Sequence, residues 1–165
     1  MDKSDRACRI KRRHSGHILE FVAFELPCRG IIAADWPTAP GGVRRGAGER
    51  AELLHFAPGR WLVPEPAPEL SAALEAATNA GAGALIDVSG KWEHLVIAGP
   101  GAGRLLASAI AVDAVLERRG CAAVTLFDCP AIIARQGAGF ALWVQASYVM
   151  DFMATAQRFG AVVEI

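Results

Sequence analysis

The sequence predicts an α+β fold, and three observations carry that prediction. Short segments that alternate apolar and polar residues with period two recur along the chain. Two longer segments are rich in helix formers and stop at glycine. From Lys91 onward the element order is strand, helix, two or three strands, helix, strand, the split βαβ or ferredoxin-like order. Residues 18–89 offer a looser version of the same order. The expectation is therefore one domain, 18–165, made of two ferredoxin-like halves, 18–89 and 90–165.

The opening stretch, "MDKSDRACRIKRRHSGH", is basic and is expected to form a flexible, solvated tail over 1–17. "HILEFVAFEL" alternates and predicts a strand closed by Pro27. "DWPTAPGGVRRGAGER" follows, and its prolines and glycines predict a loop from Asp35 to Glu52. A loop of that length within a compact domain calls for mobility or a partner. "AELLHFA" and "GRWLVP" predict two short strands joined by the turn Ala57-Pro58-Gly59. "PELSAALEAATNAGAG" predicts a helix, and "ALIDVSG" a strand entering a turn in which Asp87 and Ser89 can bind backbone amides.

"KWEHLVIAG" is the next strand, and Pro100 suits the first position of the helix "AGRLLASAI". "CAAVTLFD" and "PAIIARQG" pair around Asp128-Cys129. In "FALWVQA", period two puts Phe140, Leu142 and Val144 on one face and Ala141, Trp143 and Gln145 on the other. "SYVMDFMATAQRFG" predicts a helix capped by Ser147 and ended by Gly160, and "AVVEI" a closing strand.

Composition narrows the class. Of 165 residues 53% are hydrophobic and 21% charged, and the formal charge is zero. Neither nucleic acid nor an acidic membrane is favoured as a partner by such a balance. An apolar, neutral surface instead hints at burial in a larger complex. No segment approaches the run of about 18 apolar residues that spans a bilayer. Cysteines at 8, 28, 121 and 129 form no C-x-x-C pair and no zinc spacing, so buried free thiols are expected. His14 and His17 stand in H-x-x-H spacing, which without further ligands is half a metal site.

The stretch "VIAGPGAGRLL" tempts a nucleotide-binding reading. Gly99 and Gly101 fit G-x-G-x-x-G, but Arg104 occupies the sixth position and Pro100 removes one amide from the loop. Asp128, after the next strand, stands where a ribose-binding carboxylate would. The charged start of "KWEHLV" is unlike a parallel strand buried on both faces. A tight strand-to-helix turn is the expectation. No catalytic residue is assigned: nucleophilic catalysis needs Ser or Cys beside a base, and Cys28, Cys121 and Cys129 have no histidine near them in sequence. His55 and His94 lie in strand patterns and Asp87 and Asp113 in turn or cap positions. Aromatic and arginine side chains concentrate at interface centres. Trp36, Arg44, Arg45 and Trp61 are thus the candidate partner-interface residues, although Trp61 fits a core position equally well.

The stretch "DVSGKWEHLVIAGPGAGRLLASAIAVDAV" resembles glycine-cleavage T-protein and its relatives in D-V-S, the strand, G-P and the leucine-paired helix. Within that superfamily the chain is most similar to the gamma subunits of heterotetrameric sarcosine oxidase. "FAPGRWLV" resembles their proline-x-x-tryptophan-leucine element in Pro58, Trp61 and Leu62, "GCAAVTLFDCPAIIARQGAGFALWV" their strand pair, and "ASYVMDFMATA" their closing helix. The resemblance runs from Phe24 to Phe159; Ala146 stands where such subunits commonly carry arginine. It implies two ferredoxin-like halves packed as in the aminomethyltransferase folate-binding fold. It implies a non-catalytic, cytoplasmic subunit of a sarcosine-oxidase-like flavoenzyme that oxidises an N-methyl amino acid and passes the one-carbon unit to tetrahydrofolate. FAD, FMN, NAD and tetrahydrofolate would sit on the larger flavin- and folate-binding partner subunits, with no cofactor on this chain. The alternative is a stand-alone folate-binding protein of the same superfamily.

Overall fold

The computed structural model describes residues 7–14, 16–24, 36–46 and 50–164. They divide into two compact units, one of Ser15–Ser89 and one that joins the N-terminal segment through His14 to Gly90–Ile165.

The first unit contains β2 (Ile18–Ala23), β3 (Val43–Arg45), β4 (Ala51–Ala57), β5 (Arg60–Pro64), α1 (Pro68–Asn79) and β6 (Gly83–Asp87). Its five-stranded sheet has the order β3-β4-β5-β2-β6, and β2 runs antiparallel to both β5 and β6. β5 and β6 are therefore parallel to each other with β2 between them, a split βαβ crossing through α1. Leu70, Leu74 and Ala77 recur at helical spacing on α1 and pack with Leu19, Phe21, Trp36, Leu53, Trp61 and Val63. Buried Glu20 is neutralised by an ion pair with Arg60, whose Nε donates to Oε1 at 2.7 Å. The loop expected over 35–52 is shorter than its composition suggests. Val43–Arg45 pair with β4, and β4 begins at Ala51.

The second unit contains β1 (Cys8–Arg13), β7 (Trp92–Ala98), α2 (Ala102–Ala107), α3 (Val112–Leu116), β8 (Cys121–Leu126), β9 (Cys129–Gln136), β10 (Gly139–Gln145), α4 (Val149–Arg158) and β11 (Ala161–Glu164). Its sheet has the order β11-β1-β7-β10-β9-β8. Only β1 and β11 pair parallel. Following the pairings, β10 and β11 run parallel on either side of β7 and β1, a second split crossing through α4. The stretch between β7 and β8 does not make one, because β8 runs antiparallel to β7. The ferredoxin-like order thus holds for one crossing in each unit, and the class that stands is α+β with two sheets.

Three local expectations are corrected. The segment expected as a tail contains β1, which is hydrogen-bonded to β11 on one side and β7 on the other. Cys8 and Ile10 face the core, while Arg9, Lys11, Arg12 and Arg13 are exposed. The period-two signal was present but only two apolar residues long. Pro100 precedes the helix instead of opening it, since Gly101 is the residue before the first turn of α2. Ser147 does not cap α4; residues 146–148 form a 3₁₀ turn and Tyr148 flanks the helix without a side-chain bond. Phe127 and Asp128, both at positive φ (50° and 63°), make the two-residue turn between β8 and β9. Phe140, Leu142 and Val144 enter the core with Ile10, Leu95, Ile97, Phe152 and Met153, as the alternation predicted.

Ile10 is fully buried. Replacing it with alanine is expected to destabilise the protein by about 3 kcal/mol in urea unfolding, the usual loss for a buried aliphatic side chain. An unchanged midpoint would mean that β1 is not part of the folded sheet.

Candidate functional site

The glycine turn after β7 is built to receive the chain's own backbone. Gly101 N–H donates to the carbonyl oxygen of Ala7 at 3.2 Å, and Ala102 N–H to that of Gly99 at 3.0 Å. Gly99 has φ of 99°, and a Cβ there would lie 2.4 Å from Ala7 O. Both facts demand glycine at 99. At Gly103 a Cβ would meet nothing within 4 Å, so no close approach explains that residue. Asp128 occupies a hairpin turn and is no part of this loop. The amides of Gly101 and Ala102 are spent on protein carbonyls, and the turn is a strand-to-helix connection seated on β1.

The D-V-S stretch is likewise structural. Asp87 Oδ1 accepts from Ser89 N–H at 2.9 Å and from the Ser89 hydroxyl at 2.6 Å. Ser89 Oγ in turn accepts from Ile18 N–H at 3.0 Å, tying the start of β2 to the end of β6. The Ser89 bonds hold the Asp87 carboxyl below its ordinary pKa, helped by His17, whose Nε2 lies 3.5 Å from Oδ2. The amide-binding role expected for both residues is present. His17 is thereby engaged with a carboxylate, and among the described residues no group of three or more His, Cys, Asp or Glu side chains is arranged to hold a metal.

Of the candidate interface residues, Trp36 and Trp61 are 4% and 1% exposed and belong to the first unit's core. Phe21 contacts both rings, edge-on to Trp36 at 5.8 Å and tilted to Trp61 at 5.9 Å. Trp61 Nε1 donates to Pro37 O at 3.0 Å, which pins the loop against β5. Both indoles are buried, so Trp61 takes the core position that its strand pattern equally allowed, and Trp36 packs against it instead of standing at the surface. Arg44 and Arg45 lie on the edge strand β3, where Arg44 Nε is 3.5 Å from Glu52 Oε2 and Arg45 is exposed. The structure therefore separates the four residues into a buried pair and a surface pair.

Sequence reasoning missed one feature altogether. His55 and Trp61 are cross-strand partners on β4 and β5, and their rings stack at 4.2 Å with 16° between planes. His94 and Trp143 are cross-strand partners on β7 and β10, stacked at 4.9 Å and 7°. Each unit thus contains the same histidine-on-tryptophan pair. His55 is 1% exposed, and neither ring nitrogen makes a hydrogen bond of good geometry. Burial pushes its pKa below the ordinary 6.5, partly offset by the nearby carbonyls of Ala39, Pro37 and Ala57. Register alone brings these partners together, so only strand pairing could have revealed them.

The buried cysteines and Asp113 also serve the fold. Cys8, Cys121 and Cys129 are buried, as expected, and Cys28 lies outside the described residues. Burial raises the Cys8 and Cys129 thiols above their ordinary pKa, which keeps them protonated and poorly nucleophilic. Asp113 pairs with Arg135 at 2.9 Å. An open cleft of about 430 Å³ has Cys8 and Leu105 in its lining, with Arg104, Ser108 and Phe159 around them. No helix among the described residues is long and apolar enough to cross a membrane.

This two-sheet α+β arrangement is shared with a subunit of a known oxidoreductase assembly. The chain superposes on a chain of heterotetrameric sarcosine oxidase from Corynebacterium sp. U-96, a structure in complex with pyrrole 2-carboxylate. The TM-score is 0.74 and the identity 21%, over 98% of this chain and 89% of that one. The likeness is one of fold, and it agrees with the resemblance carried by the residues. Methanococcus jannaschii TBP matches at a TM-score of 0.29 and 14% identity, over 92% of this chain and 94% of that one, too low for a common fold. No family model matches the sequence, and a search of curated proteins finds no match.

Two expectations follow from this geometry. Gly99→Ala is expected to lower stability by about 2 kcal/mol, because it strains a positive φ and strikes Ala7 O. Gly103→Ala, in open space within a helix, is expected to be neutral or stabilising by up to about 1 kcal/mol. Equal effects in thermal unfolding would contradict the seat on β1. A histidine whose folded pKa lies below its unfolded value contributes stability that is present above pH 6.5 and lost as pH falls toward the folded pKa. Urea midpoints are therefore expected to drop between pH 7.5 and pH 5, and His55→Phe, which keeps a ring on Trp61, is expected to flatten part of that slope.

Proposed function

We propose that this chain is a non-catalytic structural subunit of a heterotetrameric, sarcosine-oxidase-like flavoenzyme complex. The observation that carries the reading is the superposition over nearly the whole chain on a chain of such an oxidase. The chemistry of the side chains supports it. The buried thiols are held protonated, Asp87 closes a turn, and the turn's Gly101 and Ala102 amides bind protein carbonyls. A molecule whose reactive groups are committed to its own fold serves best by what it binds.

On this reading the complex oxidises the N-methyl group of a small amino acid, and the one-carbon unit passes to tetrahydrofolate. FAD, FMN, NAD and tetrahydrofolate reside on the larger subunits, and the assembly works in the cytoplasm. The two units would then pack as in the aminomethyltransferase folate-binding fold.

Co-expression with the chains encoded by its genomic neighbours tests the proposal. The expected result is one species in size-exclusion chromatography that contains this chain and carries flavin absorbance, with oxidation of sarcosine or a related N-methyl amino acid. A stable monomer that never joins those chains rejects it. Calorimetry of the isolated chain with a reduced folate is expected to give no heat; tight binding would favour the stand-alone folate-binding alternative.

A further inference from the structure

The outward face of β1 is a row of cations. Arg9, Lys11 and Arg13 project from alternate positions and are all exposed. Alternate strand residues are about 6.6 Å apart, within the screening length of about 8 Å at physiological salt. The three charges therefore repel one another. Arg12, on the other face, is treated differently: its guanidinium makes a two-pronged bond to Glu93, 2.9 Å from Nε to Oε2 and 2.6 Å from Nη2 to Oε1. Arg9, Lys11 and Arg13 make no such bond among the described residues.

Their neighbours define the kind of surface. On β11, Val162 stands in register with Arg9 and Glu164 with Lys11, and both are exposed. On β7, Ala98 and Val96 stand in register with the same two residues, exposed and half-buried respectively. The face is thus a cationic stripe bordered by apolar side chains and one carboxylate. A phosphate polymer or an anionic membrane would meet Glu164 unfavourably and gain nothing from Val162. A polypeptide face can match every part, with carboxylates against the stripe and an apolar residue against Val162. The chain's formal charge of zero argues the same way, since a general polyanion binder carries an excess of cations.

We infer that Arg9, Lys11 and Arg13 form a docking stripe for an acidic polypeptide face, the partner being a larger subunit of the proposed complex. Charge complementarity of this kind steers association and fixes the register of the partners. The identity of the partner rests on the proposed function; the acidic-peptide preference does not.

Two measurements separate the two statements. In fluorescence anisotropy with the full chain, a labelled peptide of alternating glutamate and valine is expected to bind with salt-dependent affinity. The triple variant Arg9→Gln, Lys11→Gln, Arg13→Gln is expected to weaken it by about ten-fold, and Lys11→Gln alone by roughly three-fold, which covers a triple variant that fails to fold. Tighter binding of oligothymidylate or phosphatidylserine vesicles than of the peptide, or equal peptide binding by wild type and folded variants, overturns the stripe. In co-expression, charge reversal at the same three residues is expected to release the chain from the flavin-bearing subunits. If the wild type assembles and the folded reversal variant assembles equally well, the stripe is wrong and the complex stands. If the wild type does not assemble but the peptide binds, the complex is wrong and the acidic-face preference stands.

Discussion

The seating of β1 between β7 and β11 is the constraint on which the second unit depends. β11 has four residues and, among the described residues, pairs only with Cys8–Arg13. Cys8 and Ile10 supply side chains to the core on one face. The carbonyl of Ala7 then fixes the glycine turn, demanding glycine at 99 and taking the amide of Gly101. The Arg12–Glu93 pair binds the far end of the strand to β7 in the geometry that gives arginine–carboxylate pairs their strength. Burial of Cys8 and Ile10 on one face fixes the register of β1, and the Ala7 carbonyl bonded to Gly101 reinforces it.

Because the N-terminal strand and residues 90–165 build one sheet while 15–89 build another, the chain leaves the first sheet and returns to it. Each unit repeats a theme without repeating a sequence. One helix in each spans a split crossing, α1 in the first and α4 in the second. Each also sets a histidine ring flat on a cross-strand tryptophan. Such a pair contributes aromatic contact area while keeping a polar ring in the interior. For His55, burial disfavours the charged imidazole.

Groups that could have done chemistry are used to hold the fold. A D-V-S turn ties two strand ends, buried thiols fill the core, and a glycine turn bonds to a backbone carbonyl. On the surface, Arg9, Lys11 and Arg13 form an exposed cationic row with a single carboxylate, Glu164, in register beside it. The fold is shared with a chain of a heterotetrameric oxidase.

The sequence by itself determined most strands, the helices α1 and α4, the inward faces of β10, and the commitment of Asp87 and Ser89 to backbone amides. These follow from periodicity and local hydrogen bonding, which act within a few residues. It also carried the family resemblance, which the fold matches. Tertiary structure alone decided that a basic segment becomes an inner strand, that Trp36 is buried in the core, and that β7 and β8 run antiparallel. It alone decided what Gly99 avoids and which histidine meets which tryptophan. Each of these depends on pairing between residues tens of positions apart, and such pairing is selected by the energy of the whole sheet, not by any short window of the chain.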